Sequence, residues 1–123
     1  MDFGCKRIDP KDLIKCTFGL NKTELELFLL LSKGNKCETV QNISKSIGLD
    51  RTTIQKSLKK LITTELVERK QVNLENGGYV FFYCIKKKPQ IKEKMQNILD
   101  EWYSSAKKEI TYIFGDTQKK DSA

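Results

Sequence analysis

From position 10 to position 63 the apolar residues recur at three- and four-residue intervals, and from 67 to 85 they alternate. From 90 to 114 the helical interval returns. These changes of period predict five pieces. The first is a short helix over 10–18, with Asp9 as its cap, Pro10 at its first position, and Leu13, Ile14 and Phe18 as apolar contacts. Gly19 ends it. The second is a helix over 21–32, which Asn21 can cap while Glu24, three residues on, reaches back to complete a capping box. Leu20 and Leu25 have the spacing of a hydrophobic staple around that cap. Leu25 and the run Leu27, Phe28, Leu29, Leu30 and Leu31 are apolar around most of the circumference, which predicts the central helix of the core. Lys33 and Gly34 supply its stop.

The third piece is a pair of helices. Val40, Ile43 and Ile47 mark a helix over 40–47 with Thr39 placed to cap it, and Gly48 suits a left-handed turn. Asp50 then caps a helix running to about 63, which buries Ile54, Leu58, Leu61 and Ile62. Its other face carries Arg51, Thr52, Gln55, Lys56, Lys59 and Lys60. Small Ser44 lets the two helices cross closely. Next come two strands, 67–74 and 79–85, flanking Glu75-Asn76-Gly77-Gly78, where Asn and Gly accept positive φ. In the second strand Val80, Phe82 and Cys84 face one way and Tyr79, Phe81, Tyr83 and Ile85 the other, so both faces are expected to be covered. The last piece is a helix from Gln90 to about 114, roughly 37 Å long and longer than a core of this size can cover.

Two helices joined by a Gly-containing turn, the second polar and basic on one side, form a helix-turn-helix, and the hairpin that follows has the place of a wing. The predicted fold is therefore mainly α with a small β-hairpin wing: a winged helix-turn-helix with N- and C-terminal helices for dimerisation. It occupies a single domain, 1–114, with a dimerisation helix at 90–114 and a flexible tail at 115–123. The 123-residue length suits one domain and leaves little room for a second.

Charge narrows the choice of partner. The 23 Lys+Arg against 16 Asp+Glu give a formal net charge of +7, which favours an anionic partner. Between 33 and 60 seven basic residues (33, 36, 45, 51, 56, 59, 60) face two acids (38 and 50), so most of the surplus surrounds the basic helix. No apolar run approaches the roughly 20 residues of a bilayer span, and the N-terminus lacks the layout of a secretory signal. A cytoplasmic protein with no membrane partner is expected. The sequence contains no histidine, which excludes Ser-His-Asp and Cys-His nucleophile pairs and every imidazole zinc site. With no phosphate-binding Gly loop and no evident acid–base pair, an enzyme is not expected.

Several stretches resemble known regulators. Phe18-Gly19-Leu20-Asn21-Lys22-Thr23-Glu24-Leu25-Glu26 is similar to the start of the DNA-binding domain in archaeal TrmB-like and MarR-like winged helix-turn-helix transcriptional regulators. Asp50-Arg51-Thr52-Thr53-Ile54-Gln55-Lys56-Ser57-Leu58-Lys59-Lys60-Leu61 resembles their recognition helix. Glu65-Leu66-Val67-Glu68-Arg69 resembles the step into the wing, and Gly77-Gly78-Tyr79-Val80-Phe81-Phe82-Tyr83 its return strand. Glu101-Trp102-Tyr103 in the last helix also has the family's look, and the resemblance covers about 16–114. Two features depart from it. The chain stops where longer TrmB-like proteins continue into an effector-binding domain, so sugar sensing is not among its implications. The wing lacks the Asp-x-Arg tip of many MarR-like proteins.

The resemblance implies a sequence-specific regulator that binds double-stranded DNA as a homodimer, with helix 51–63 in the major groove and wing 67–85 on the backbone or minor groove. Thr52, Thr53 and Gln55 have short or amide side chains suited to base edges, and Arg51 suits guanine or phosphate. Lys56, Lys59 and Lys60 suit phosphates, which supply affinity without sequence information. Arg69, Lys70, Asn73 and Asn76 are placed on the wing for the backbone or minor groove. The stripe Ile91, Met95, Ile98, Trp102, Ala106, Ile110 and Ile113 is the expected dimer contact. The alternative reading is a winged-helix module that meets protein within a larger complex, without reading DNA.

The cysteines, Cys5, Cys16, Cys37 and Cys84, show no C-x-x-C spacing, and in a reducing cytosol the default is free thiols and no cofactor. The sharper alternative is a redox disulfide, zinc or an iron–sulfur cluster on cysteines brought together by the fold. Cys5, Cys16 and Cys37 are the candidates for it, with Cys5 and Cys16, on the N-terminal side, as the first choice of sensor.

Overall fold

The computed structural model describes residues 1–34 and 37–115. Among the described residues nine elements follow one another: β1 (Asp2–Phe3), β2 (Lys6–Arg7), α1 (Pro10–Phe18), α2 (Lys22–Gly34), α3 (Val40–Ile47), α4 (Arg51–Thr63), β3 (Val67–Asn73), β4 (Tyr79–Ile85) and α5 (Lys88–Phe114). The fold class is the expected one, five helices and a small antiparallel wing. The expected tail, 115–123, lies outside the described residues except for Gly115.

The helix ends follow their local chemistry. The Asp9 carboxylate accepts the Asp12 N–H at 2.8 Å, and Gly19 ends α1 at φ 65°. At the head of α2 the Asn21 side chain accepts the Glu24 N–H and the Glu24 carboxylate accepts the Asn21 N–H, each at 2.8 Å. This reciprocal box satisfies two backbone donors that the helix cannot. Thr39 accepts the Asn42 N–H at the head of α3, and Gly48 closes α3 at φ 76°. Ser44 does more than allow close crossing, since its hydroxyl donates to the Leu49 carbonyl at 2.6 Å and pins the turn between α3 and α4.

The core sits where α2, α3, α4 and the base of the wing meet. Leu27, Leu31, Ile43, Ile54, Leu58, Leu61, Leu66 and Val67 are fully buried there. Each such side chain contributes roughly 1.5–3 kcal/mol by leaving water. Ile62, expected inside, is only half-buried because it flanks the open side of α4 toward the wing.

β3 and β4 pair antiparallel in the register Val67↔Ile85, Arg69↔Tyr83, Gln71↔Phe81 and Asn73↔Tyr79. Gly77 (φ 90°) and Gly78 (φ 80°) make the reversal. The expectation that β4 is covered on both faces holds only at its base. Tyr83 and Cys84 are buried, Val80, Phe81 and Phe82 half-buried, and Tyr79 exposed. The strand projects beyond the helices, so its outer half has nothing to pack against.

Two features depart from the sequence expectation. Residues 1–8 form a small hairpin, β1 with β2, closed by the Ile8 N–H donating to the Met1 carbonyl at 2.8 Å. Phe3 of that hairpin meets Trp102 of α5 edge to face, ring centroids 6.4 Å apart. α5 starts two residues earlier than expected because Pro89 occupies its first turn rather than preceding it. Its 27 residues span about 40 Å, and none of them is buried.

Candidate nucleic-acid interface

The basic face of α4 and the wing bound one concave surface. Gln55, Lys59, Ile62 and Thr63 from α4 and Glu68, Arg69, Phe81 and Lys86 from the wing line an open groove of about 790 Å³. The groove follows from two periods. Along α4, Ile54, Leu58 and Leu61 turn inward, which forces positions 51, 55 and 59 onto the wing side and 52, 56 and 60 onto the neighbouring outer stripe. Along β3 the alternation places Arg69 on the face of Phe81.

Arg51, Thr52, Gln55, Lys56, Lys59 and Lys60 are all exposed on α4. Thr53 differs. It is half-buried, and its hydroxyl donates to the carboxylate of Asp50 at the helix cap. That hydrogen bond is the main reason the Asp50 carboxyl sits below the usual carboxylate range. Thr53 therefore braces the start of α4, whereas the Thr52 and Gln55 side chains are open to solvent.

On the wing, the Arg69 guanidinium lies 4.2 Å from the Phe81 ring centroid, a stacking that fixes its direction while leaving its hydrogen-bond donors open. Lys70 lies 3.6 Å from the Glu68 carboxylate, with both groups exposed. The Gln71 amide donates to Asn73 at 3.3 Å, and Asn76 lies in the turn at the tip. Gln71 was not singled out from sequence. Its place beside Asn73 on the exposed wing is its only distinguishing mark.

The join between α4 and the wing carries a residue whose role the sequence does not advertise. Glu65 adopts the left-handed conformation, φ 64°, in the position after a helix where glycine is usual. Its N–H donates to the Ile62 carbonyl and the Leu66 N–H to the Leu61 carbonyl, each at 3.0 Å, the double closure of a Schellman motif. The Glu65 carboxylate pairs with Lys94 of α5. The hydrogen bond from Lys94 and its charge hold the Glu65 carboxyl below the usual range.

The default of four free thiols is corrected at one pair: Cys37 and Cys84 form a disulfide, with Cα atoms 4.2 Å apart. Beside it, Glu38 and Tyr83 exchange both backbone hydrogen bonds, at 3.0 and 2.8 Å, so the segment before α3 pairs with the free edge of β4. The 47-residue separation matches no motif; the two cysteines meet through the tertiary pairing beside them. Cys5 and Cys16 are free and exposed, and Cys16 lines a small apolar hollow with Met1, Phe3 and Trp102. Among the described residues no group of three or more Cys, Asp or Glu is arranged to hold a metal.

The apolar stripe of α5 divides in two. Ile91, Met95 and Ile98 are half-buried against their own core. Trp102, Ile110 and Ile113 are exposed, at 59%, 57% and 66%, and Ala106 lies half-buried between them. No described helix is long and apolar enough to cross a membrane.

Known proteins share this architecture. A solved structure of a possible transcriptional regulator from Methanosarcina mazei superposes with a TM-score of 0.81 at 35% identity, covering 91% of this chain and 94% of that one. A putative MarR-family regulator from Enterococcus faecalis shares the fold, with a TM-score of 0.52 at 15% identity over 85% of this chain and 94% of its own. The uncharacterized protein MJ1082 of Methanocaldococcus jannaschii is 33% identical over 109 residues, 88% of each chain. The family described as the sugar-specific transcriptional regulator TrmB matches residues 14–88. The chain belongs to the TrmB family of transcriptional regulators, built on a DNA-binding winged helix that MarR-type regulators share.

Proposed function

We propose that the protein is a cytoplasmic, homodimeric regulator that reads double-stranded DNA in a sequence-specific way. α4 enters the major groove by its N-terminal half, and the wing rests on the adjacent backbone or minor groove. The observation that carries this reading is the shared groove: Gln55 and Lys59 of the helix and Arg69 of the wing line one open, basic concavity. Thr52 and Gln55 read base edges, with Arg51 at guanine or phosphate. Lys56, Lys59 and Lys60, with Arg69 and Lys70, hold phosphates. The exposed half of α5, centred on Trp102 and Ile110, joins two copies so that their recognition helices meet successive major grooves about 34 Å apart.

The test is a fluorescence-anisotropy titration of duplex DNA over a salt series, coupled to selection of bound sequences from a random pool. The wild type should lose affinity steeply with salt. Lys59→Ala should weaken every sequence alike and lower the log–log salt slope by about one, whereas Gln55→Ala should keep the slope and change the preferred bases. A flat salt response, or no duplex binding at all, would favour a protein-binding module and sink the proposal.

A further inference from the structure

The joint between helix and wing carries an inference of its own. We propose that the Cys37–Cys84 disulfide is a thiol-exchange site through which a dithiol reductant loosens the wing and weakens DNA binding. This rests on the DNA-reading function proposed above and names its regulation.

Three observations converge on that bond. The first is position. Cys37 lies on the segment that leads into the Thr39 cap of α3, and Cys84 lies on β4, whose partner β3 carries Arg69, Lys70 and Asn73. The bond therefore ties the helix-turn-helix directly to the wing. Beside it, the Glu38–Tyr83 bridge is the one backbone pairing along this edge among the described residues.

The second is pairing. Because Glu38 and Tyr83 exchange both hydrogen bonds, the neighbouring pair, Cys37 and Cys84, falls at a non-hydrogen-bonded site, where antiparallel Cα atoms approach most closely. With the bridge intact the two thiols stay side by side after reduction, so the bond can close again. The third is access. Cys37 is exposed, whereas Cys84 is only 5% exposed. The side of the bond open to solvent is that of Cys37, and an incoming thiolate approaches from there.

The chemistry balances as a two-electron exchange with a dithiol. A thiolate of the reductant attacks Cys37 Sγ, a mixed disulfide forms there, and Cys84 Sγ leaves as a thiolate and takes up a proton. The second thiol of the reductant, deprotonated, attacks its own sulfur in the mixed disulfide and releases Cys37 as a thiolate, which is protonated in turn. The reductant ends as a disulfide and the protein as two thiols. A low-molecular-weight disulfide runs the sequence backwards. In the closed state the wing is preorganised against α4, which lowers the cost of ordering it on DNA. In the open state the outer wing, Asn73 above all, must be positioned at the moment of binding.

The experiment uses the full chain and a mixed-sequence duplex of about 30 bp, long enough for two sites one helical turn apart. Anisotropy titrations are run on oxidised protein, on protein equilibrated with a dithiol, and on protein re-oxidised with a small-molecule disulfide. Alkylation followed by mass spectrometry identifies which cysteines are free, and circular dichroism confirms that each sample is folded. Oxidised protein should bind several-fold to about tenfold more tightly than reduced protein, and re-oxidation should restore the affinity, with Cys37 and Cys84 the pair that opens. The Cys5→Ser/Cys16→Ser double variant should respond as the wild type does, and Cys37→Ser should bind at the reduced level in every buffer. Hydrogen exchange at the Glu38 and Tyr83 amides, faster in reduced protein, gives a reading that does not depend on any variant folding. Equal affinity in the two states, with DNA still bound in a salt-dependent way, overturns the exchange site and leaves the DNA reading intact. Absence of duplex binding in both states overturns the two together.

Discussion

Reduction of the Cys37–Cys84 bond has a stability consequence whose size follows from where the bond lies. It closes a loop with a sequence separation of 47 residues, which contains α3, α4 and the whole of β3. In the unfolded chain that closure removes conformations, and the chain-entropy relation gives a stabilisation of about 4 kcal/mol for a loop of this length. Small domains have only about 5–15 kcal/mol in total, so the bond accounts for a large part of it. Opening it also lets the unfolded chain expand, which raises the dependence of stability on urea. With a slope of about 1.5 kcal/mol/M, the urea midpoint should fall by about 2–3 M on reduction. The assay is urea unfolding followed by far-ultraviolet circular dichroism, on oxidised and reduced protein, with a thiol count before each series. The Cys5→Ser/Cys16→Ser variant, which keeps the bond, should unfold with the oxidised wild type. If the fully reduced protein unfolds at the same urea concentration, the tie does not constrain the unfolded chain and the reasoning fails.

Two other measurements bear on α5. The Glu65 carboxyl is held below the usual range by Lys94, so the pair's contribution is complete above the ordinary carboxylate pKa of about 4.3 and disappears as pH falls through the lower folded value. Carboxyl NMR should show Glu65 titrating below the ordinary carboxylate value, and Lys94→Ala should raise it toward that value; an unmoved midpoint would discard the pair. Trp102→Glu, on the exposed half of α5, should shift the protein toward monomer in light scattering, and an unchanged mass would remove this stretch from the dimer contact.

The elements that sequence revealed most fully are those whose chemistry is local. The Asn21–Glu24 box, the Asp9 and Thr39 caps, Gly48 and the Gly77-Gly78 reversal depend on residues within a few positions of one another. The groove was legible for the same reason, because a basic face opposite Ile54, Leu58 and Leu61 has only one side on which to lie. What sequence did not disclose depends on distance along the chain. Cys37 and Cys84 meet through a two-hydrogen-bond bridge that no periodicity announces. The Thr53 hydroxyl donates to Asp50, a cap contact that a short polar side chain on an exposed face does not announce. Glu65 breaks the rule that places glycine after a helix, and its partner is 29 residues away on α5. The outer half of β4 looked like a buried strand because its composition is apolar, but how far a wing projects is decided by the other elements.

That projection explains why the base of the wing matters more than its length. A two-stranded hairpin is marginal on its own, and from Arg69 to Tyr79 every residue of this one is exposed. Its direction is therefore set by what grips its foot: buried Leu66, Val67 and Tyr83, the Glu38–Tyr83 bridge, the Cys37–Cys84 bond and the Glu65–Lys94 pair at the entrance. A seven-residue strand is about 24 Å long, so a tilt of about 10° at the foot carries the tip some 4 Å sideways, beyond the tolerance of any hydrogen bond. At Arg69, two residues from the foot and steadied on Phe81, the same tilt moves the backbone only about 1 Å. The two ends of the wing must then respond unequally to anything that loosens its foot. Contacts made by Arg69 should survive, and those made by Asn73 and Asn76 should be lost first.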